Sequence, residues 1–319
     1  MALVLTESDV TRLLRMEEVI AAVEAAFAAH GEDRAQNRPR NRIPIPGLTL
    51  HVMAAALPPA GVLGLKAYTT GSAGARFVVL VWSSQTGALE AVVEADRLGQ
   101  MRTGAASAVA TKHMARPDAR IVGCLGSGWQ AQSQLEAVCA VRPLARILVF
   151  GRDAHRRQAF AEMMAQRLRV PVEAVPSALD AVRDAEILIT ATTASAPVLL
   201  GRWLRPGTHI NAVGVNRADR RELDDEAVRR ADRIVVDDRT QAAIECGDLL
   251  PLVASGELSW DRVSELGEVV SGRIPGRRGR DEITLFESQG LAIEDMAAAA
   301  LLLARARAAG VGQEIPIGR

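Results

Sequence analysis

The sequence predicts an α/β protein in which a parallel, doubly wound sheet accompanies a mixed α+β part. Three observations predict it. From residue 119 onward, short apolar runs alternate with stretches of helical length, the mark of βαβ units. A glycine cluster stands between the first of these runs and the helical stretch after it. Before residue 117 the order differs, with a helix followed by strands joined through a tight turn. At 319 residues and 49% hydrophobic, the chain holds enough apolar surface for two domains.

In the first part, Val19, Ile20, Val23, Ala26 and Phe27 fall at helical spacing within 16–29, and a charged loop is expected over 31–42. Residues 48–53 and 76–82 read as strands, and the turn Ser84-Gln85-Thr86-Gly87 leads into a third at 89–94. The alanine-rich segment 101–114 reads as a helix. In the second part, strands are expected at 120–125, 147–150, 172–175, 185–190, 209–214, 233–237 and 282–286, with helices at 129–140 and 154–168. Segment 272–279 reads as a surface loop. Gly290 precedes a last helix over 293–308, whose Glu294 and Asp295 suit the positive end of a helix dipole.

Charge and composition exclude several functions. Lys+Arg and Asp+Glu both number 38, so no basic excess serves a nucleic acid or an anionic membrane. Aromatics at 3% leave few platforms for stacking bases. Cys124, Cys139 and Cys246 match no metal-ligand spacing, so no metal site is expected and the thiols read as reduced. The start Met1-Ala2-Leu3-Val4-Leu5-Thr6-Glu7 has no basic segment, and no apolar run has the length of a membrane span. The expectation is a soluble, cytoplasmic protein.

The sharpest motif is Gly126-Ser127-Gly128-Trp129-Gln130-Ala131, which follows a strand and opens a helix. That is the setting of a dinucleotide fingerprint. Gly126 permits the turn, Gly128 lets the backbone approach a pyrophosphate, and Ala131 keeps helix and sheet close. The second strand ends Phe150-Gly151-Arg152-Asp153. An acid there would bind the ribose hydroxyl of NAD, whereas Arg152 can pair with a 2′-phosphate, so NADPH is expected and NADH stays open. Asp153 reads either as that acid or as a helix N-cap. Outside this part, Arg38, Arg40, Arg42, Lys66 and Arg102 are basic residues among short apolar elements. Brought together they would need an anionic partner, and a small carboxylate fits.

The chain resembles the ornithine cyclodeaminase/μ-crystallin family along nearly its whole length. The carrying residues include Pro39-Arg40, Gly64-Leu65-Lys66, Gln100-Met101-Arg102-Thr103-Gly104, the glycine motif, His209-Ile210-Asn211-Ala212-Val213-Gly214, Arg221-Glu222-Leu223-Asp224 and Glu287-Ser288-Gln289-Gly290. The resemblance implies a homodimer, with a Rossmann domain at 118–290 inserted into an α+β substrate and dimerisation domain at 1–117, completed by 291–319. It assigns the substrate carboxylate to Arg40 and Arg102, with Arg38 or Arg42 replacing Arg40 if the register differs. It makes Lys66 the active-site lysine, and it sets Thr192, Val213 and Ser288 along the nicotinamide half of the cofactor site.

One departure matters. Cyclodeaminases carry an aspartate two residues past the glycine of the Asn211-Ala212-Val213-Gly214 strand, and here that position is Asn216. An amide takes up no proton at neutral pH, so amine oxidation lacks its base, with Asp219 the nearest acid. The expected function is therefore NADPH-dependent reduction of small α-imino acids such as pyrroline-2-carboxylate or piperideine-2-carboxylate. Lys66 would donate the proton, and Asn216 would hydrogen-bond the substrate nitrogen. An ornithine or lysine cyclodeaminase, an amino-acid dehydrogenase and a non-catalytic NADPH- or ligand-binding protein remain as alternatives.

Overall fold

A computed structural model describes residues 1–72 and 74–317. The chain divides into two compact units, Met1–Ala105 with Leu291–Arg319, and Ala106–Gly290.

The first unit begins with β1 (Ala2–Leu5), α1 (Glu7–Leu13) and α2 (Met16–Gly31). A capping box between Thr6 and Asp9 starts α1. On α2, Val19, Ile20, Val23 and Phe27 form the buried stripe that the spacing predicts. Long strands then meander antiparallel: β2 (Gln36–Ile45), β3 (Leu48–Leu57), β4 (Val62–Gly71), β5 (Gly74–Ser83) and β6 (Leu89–Glu94). The charged segment expected to be a loop is thus largely strand from Gln36. Its polar side chains are tolerated because β2 lies at the edge of the sheet, with one face toward solvent. After β6 comes α3 (Asp96–Met114). The division between units falls inside this helix at residue 105, ahead of the expected 117. Its second half bonds within the second unit: Thr111 Oγ1 accepts from Asn211, and the Met114 carbonyl accepts from Arg277.

The second unit continues with β7 (Ile121–Leu125), α4 (Trp129–Val141), β8 (Arg146–Phe150), α5 (Ala154–Leu168), β9 (Val172–Ala174), α6 (Ala178–Val182), β10 (Ile187–Thr190) and β11 (His209–Ala212). Next come α7 (Asp225–Arg230), β12 (Arg233–Val236), α8 (Arg239–Glu245), α9 (Leu250–Ala254), β13 (Val263–Glu265), α10 (Leu266–Val270) and β14 (Thr284–Glu287). Among the described residues these strands form one sheet, β13-β12-β14-β11-β10-β7-β8-β9, parallel throughout. Strands such as Ile187–Thr190 are buried along their whole length, as parallel strands covered on both faces must be. The segment 272–279 is pinned rather than loose. Arg277 donates to the carbonyls of Met114 and Glu282, and Gly276 is buried where a side chain would strike the His113 carbonyl.

The chain ends in the first unit with α11 (Ala292–Ala309) and β15 (Gln313–Ile315). Among the described residues its sheet runs β15-β1-β6-β5-β4-β3-β2. The helix α11 packs on β3, β4 and α2 through Met296, Ala299 and Leu302. Gly64 fits β4 closely against both neighbours, because a Cβ there would lie 2.1 Å from the Leu80 carbonyl oxygen of β5 and 2.8 Å from Met296 Sδ of α11. Among the described residues, no helix is long and apolar enough to cross a membrane.

Candidate active site

Two clusters of polar groups stand out, one in each unit. In the second unit the strand order reverses between β7 and β10, the position where parallel sheets of this kind open a crevice beyond their carboxyl ends. The fingerprint occupies that crevice. Gly126 has φ +124°, and a Cβ there would sit 2.4 Å from the Ala191 carbonyl oxygen. At Gly128 a Cβ would meet nothing within 4 Å, so its backbone borders open space. No side chain caps the start of α4, which leaves the first amides of the helix for an anion. Ser127 Oγ would lie 2.5 Å from a Cβ at Gly151, and this glycine brings the ends of β7 and β8 together. Trp129 is exposed, and the side-chain oxygen of Gln130 is buried with no partner among the described residues. These features fit a dinucleotide whose pyrophosphate rests on the Gly126–Gly128 turn.

At the end of β8, Asp153 is spent as the N-cap of α5, its carboxylate accepting from the Arg156 amide at 2.9 Å. One of its two oxygens is thereby committed to the helix start. Arg152 beside it is exposed and has no partner among the described residues. Thr192 and Val213 are half-buried just past β10 and β11, while Ser288 is buried after β14. Asp237 holds the segment following β14 by accepting from the amides of Gln289 at 2.7 Å and Gly290 at 2.6 Å. Glu222 accepts from the Thr192 amide at 2.6 Å and the Gly214 amide at 2.8 Å. The family resemblance names Thr192 and Val213 for this region and gives no role to either carboxylate. Asn216 is exposed on the same stretch as Asp219, whose carboxylate is engaged by Arg217 at 2.7 Å and 2.8 Å.

In the first unit, Lys66, Arg40 and Arg102 are 2%, 6% and 7% exposed. Strand alternation turns Lys66 inward with Val62, Gly64 and Tyr68. Alternation alone would put Arg40 on the same exposed face as Arg38. A bulge between Arg38 and Asn41 adds a residue to β2, and Arg40 is buried instead. Arg38 is exposed and Arg42 half-buried. From α11, Asp295 Oδ1 accepts both Lys66 Nζ at 3.0 Å and Arg102 Nε at 3.1 Å, while Glu294 accepts Arg102 Nη1 at 2.9 Å. Asp295 Oδ2 is buried with no partner among the described residues. The Lys66 ammonium also lies 5.0 Å from the Phe77 ring centroid and 5.8 Å from that of Tyr68.

Burial draws the Lys66 pKa down to about 8; Asp295 opposes the shift, while Arg102 and Arg40 add to it. For Arg102 burial also disfavours the charge, but Asp295 and Glu294 outweigh it and keep the guanidinium firmly ionised. Burial raises Glu294. The acidic pair at the start of α11 reads in sequence as a complement to the helix dipole, and nothing in its spacing marks it as the counter-charge of Lys66 and Arg102. Among the described residues no cluster of His, Cys, Asp or Glu is arranged to hold a metal ion.

A parallel sheet with a glycine fingerprint at its switch point, and a separate buried set of a lysine, arginines and carboxylates, define a nicotinamide-dinucleotide-dependent oxidoreductase. The chain belongs to the ornithine cyclodeaminase/mu-crystallin family, whose model matches residues 1–310. A Delta(1)-pyrroline-2-carboxylate reductase of Bacillus cereus is 34% identical, with 98% of this chain and 99% of the relative covered. The Delta(1)-pyrroline-2-carboxylate reductase of Thermococcus litoralis, solved in complex with NADH and L-proline, superposes with a TM-score of 0.94. It is 38% identical and covers 98% of this chain and all (100%) of its own. An archaeal alanine dehydrogenase dimer with bound NAD is 32% identical, covers 99% of both chains and has a TM-score of 0.93.

Proposed function

We propose that this protein reduces small cyclic α-imino acids, of the pyrroline-2-carboxylate or piperideine-2-carboxylate type, to the corresponding amino acids with NADPH. One observation carries the reading. Lys66 and Arg102 are buried, share one oxygen of Asp295, and keep N–H donors that no described residue accepts, Arg102 Nη2 among them. Desolvated cations with unspent donors call for a small carboxylate, and arginine grips one through two parallel bonds. The pyrroline-2-carboxylate reductases among the relatives support the same substrate class.

Arg102 and Arg40 bind and orient the carboxylate. Lys66, whose pKa lies at about 8, carries a proton at neutral pH that it can deliver to the substrate as the C=N bond is reduced. The dinucleotide, when bound, supplies the hydride. Gly126, Ser127, Gly128, Trp129 and Gln130 would hold its pyrophosphate, with Thr192, Val213 and Ser288 toward the nicotinamide and Asn216 toward the substrate nitrogen. The preference for NADPH is supported by Arg152, exposed and unengaged at the strand end, and by the commitment of one Asp153 oxygen to the N-cap of α5. We propose that Met1–Ala105 with Leu291–Arg319 forms the substrate and dimerisation domain, and Ala106–Gly290 the dinucleotide domain. Ile43, Ile45, Leu48 and Leu50 are exposed around the β2–β3 turn, which supports a homodimer. The three unpaired cysteines suit the reducing cytoplasm.

The test follows absorbance of the reduced nicotinamide with each imino acid, using NADPH and then NADH, beside a tube of L-ornithine and NAD assayed for ammonia. Rapid oxidation of NADPH without ammonia is expected. Ammonia with no net change in the cofactor would overturn the reading in favour of a cyclodeaminase. Lys66→Met should abolish turnover while NADPH still binds, and turnover that survives the change removes Lys66 from the reaction.

A further inference from the structure

Glu222 is embedded in the second unit by every polar group it owns. Its carbonyl accepts from the amides of Val198 and Leu199 at 2.7 and 2.9 Å. Its own amide and that of Leu223 donate to Asp248 Oδ1 at 2.8 and 2.7 Å. From this fixed base the side chain reaches two different strand ends, one carboxylate oxygen on the Thr192 amide past β10 and the other on the Gly214 amide past β11. The fit leaves no spare room. A Cβ on Gly214 would lie 2.5 Å from both Glu222 oxygens, and one on Gly247, beside Asp248, would lie 1.9 Å from the Arg220 carbonyl oxygen. Both strand ends border the crevice at the switch point, where the Gly126 turn touches the Ala191 carbonyl one residue before Thr192.

We propose that Glu222 is a positioning residue whose carboxylate, seated on Asp248, locks the ends of β10 and β11 into the shape that receives the nicotinamide half of the cofactor, so that cofactor affinity depends on its ionisation. The inference rests on the dinucleotide site of the proposed function. An ionised carboxylate accepts both amides fully, whereas a protonated one keeps a good acceptor on one oxygen only. Burial raises Glu222 to about 7 against hydrogen bonds from Thr192 and Thr190, and Asp248 adds to the rise. Burial likewise raises Asp248 to about 6. The other ionisable groups facing this pocket are Glu287, which burial raises well above the usual carboxyl range, and the Cys124 thiol, which burial pushes up to about 12. Cys246 and Asp237 face Glu287, and Arg221 is the cation beside Asp248.

The sign of the effect separates positioning from mere support of the fold. The folded value of Glu222 lies above that of an unfolded carboxyl, so its contribution to stability is full at low pH and is lost as pH rises through about 7. Affinity for the cofactor runs the opposite way and is gained over the same window.

The probe is NADH alone, whose phosphates do not titrate near neutrality, bound to the full-length protein and followed by calorimetry from about pH 8 to about pH 6. Loss of one buried charge-assisted bond predicts a Kd about tenfold weaker at the acid end. Glu222→Gln should bind weakly at all pH values with that dependence gone, and the pH-dependent part of the apoprotein's stability assigned to Glu222 should vanish with it. Asp248→Asn, which leaves the Glu222 carboxyl in place, should move the midpoint to lower pH. A wild-type Kd that is flat across the range, or the same slope in Glu222→Gln, overturns the proposal. Failure of both NADH and NADPH to bind at any pH would instead overturn the dinucleotide site itself.

Discussion

Asp295→Asn takes the charge from the carboxylate that joins Lys66 to Arg102 while keeping its shape and one acceptor oxygen. In the native protein that side chain is fully buried, with cations at 3.0 and 3.1 Å on one oxygen. At charge-centre separations of about 4 Å and an effective dielectric of about 20, each attraction is about 4 kcal/mol, set against the desolvation of the three groups. Breaking such a pair from one side costs about 3–5 kcal/mol, because the surviving charge stays buried. Arg102 keeps Glu294 and cannot lose its proton. Lys66 can, and it loses Asp295, the group that among the described residues opposes the fall of its pKa to about 8. In Asp295→Asn the lysine should therefore be largely neutral at pH 7. If Lys66 donates the proton, single-turnover reduction by the wild type falls as pH rises through about 8. In the variant the same fall should come at lower pH, alongside a denaturation midpoint reduced by the cost above. The two readouts answer different questions: the midpoint reports the ion pair and the limb reports the proton. An alkaline limb at the same pH in both proteins would refute the assignment of that proton to Lys66 under the control of Asp295, whatever the stability showed.

Two further outcomes are expected. Arg152→Ala should weaken NADPH about tenfold while leaving NADH nearly unchanged, because only the 2′-phosphate is matched to the guanidinium, and equal Kd changes for both cofactors would remove Arg152 from recognition. Gly64→Ala should destabilise the protein by about 1–3 kcal/mol or more, because its methyl group meets the Leu80 carbonyl oxygen at 2.1 Å, which no rotamer can move, and an unchanged denaturation curve would contradict the close fit of β4 against β5 at this position.

Much of this architecture is legible in the sequence because local pattern and tertiary role coincide there. The apolar run at Ile121–Leu125, the φ requirement at Gly126 and the stretch of helical length from Trp129 are each local signals, and the elements stand where expected. In the first unit pattern and role part company. The segment from Gln36 to Ile45 carries three arginines and two prolines, which reads as loop, and only pairing with β3 along an edge makes it a strand. Which arginine turns inward then depends on a single bulge, and bulges leave no period to read.

Long-range electrostatics is hidden more deeply. Lys66 and Asp295 are separated by 229 residues, and an acid at a helix start has an ordinary local explanation that conceals the distant one. Glu222 shows the same masking from the other side. Its neighbours Arg221, Leu223 and Asp224 look like surface and cap residues, and Asp224 is indeed the N-cap of α7. Yet Glu222 points the other way, into a pocket of carboxyls, where it accepts from the Thr192 and Gly214 amides and has no cation among its direct partners. A buried acid with no cation beside it is pushed toward neutrality by desolvation, and Glu222 is raised to about 7 in this way. On the two proposals made above, Glu222 sets the pH dependence of cofactor binding and the proton of Lys66 that of reduction.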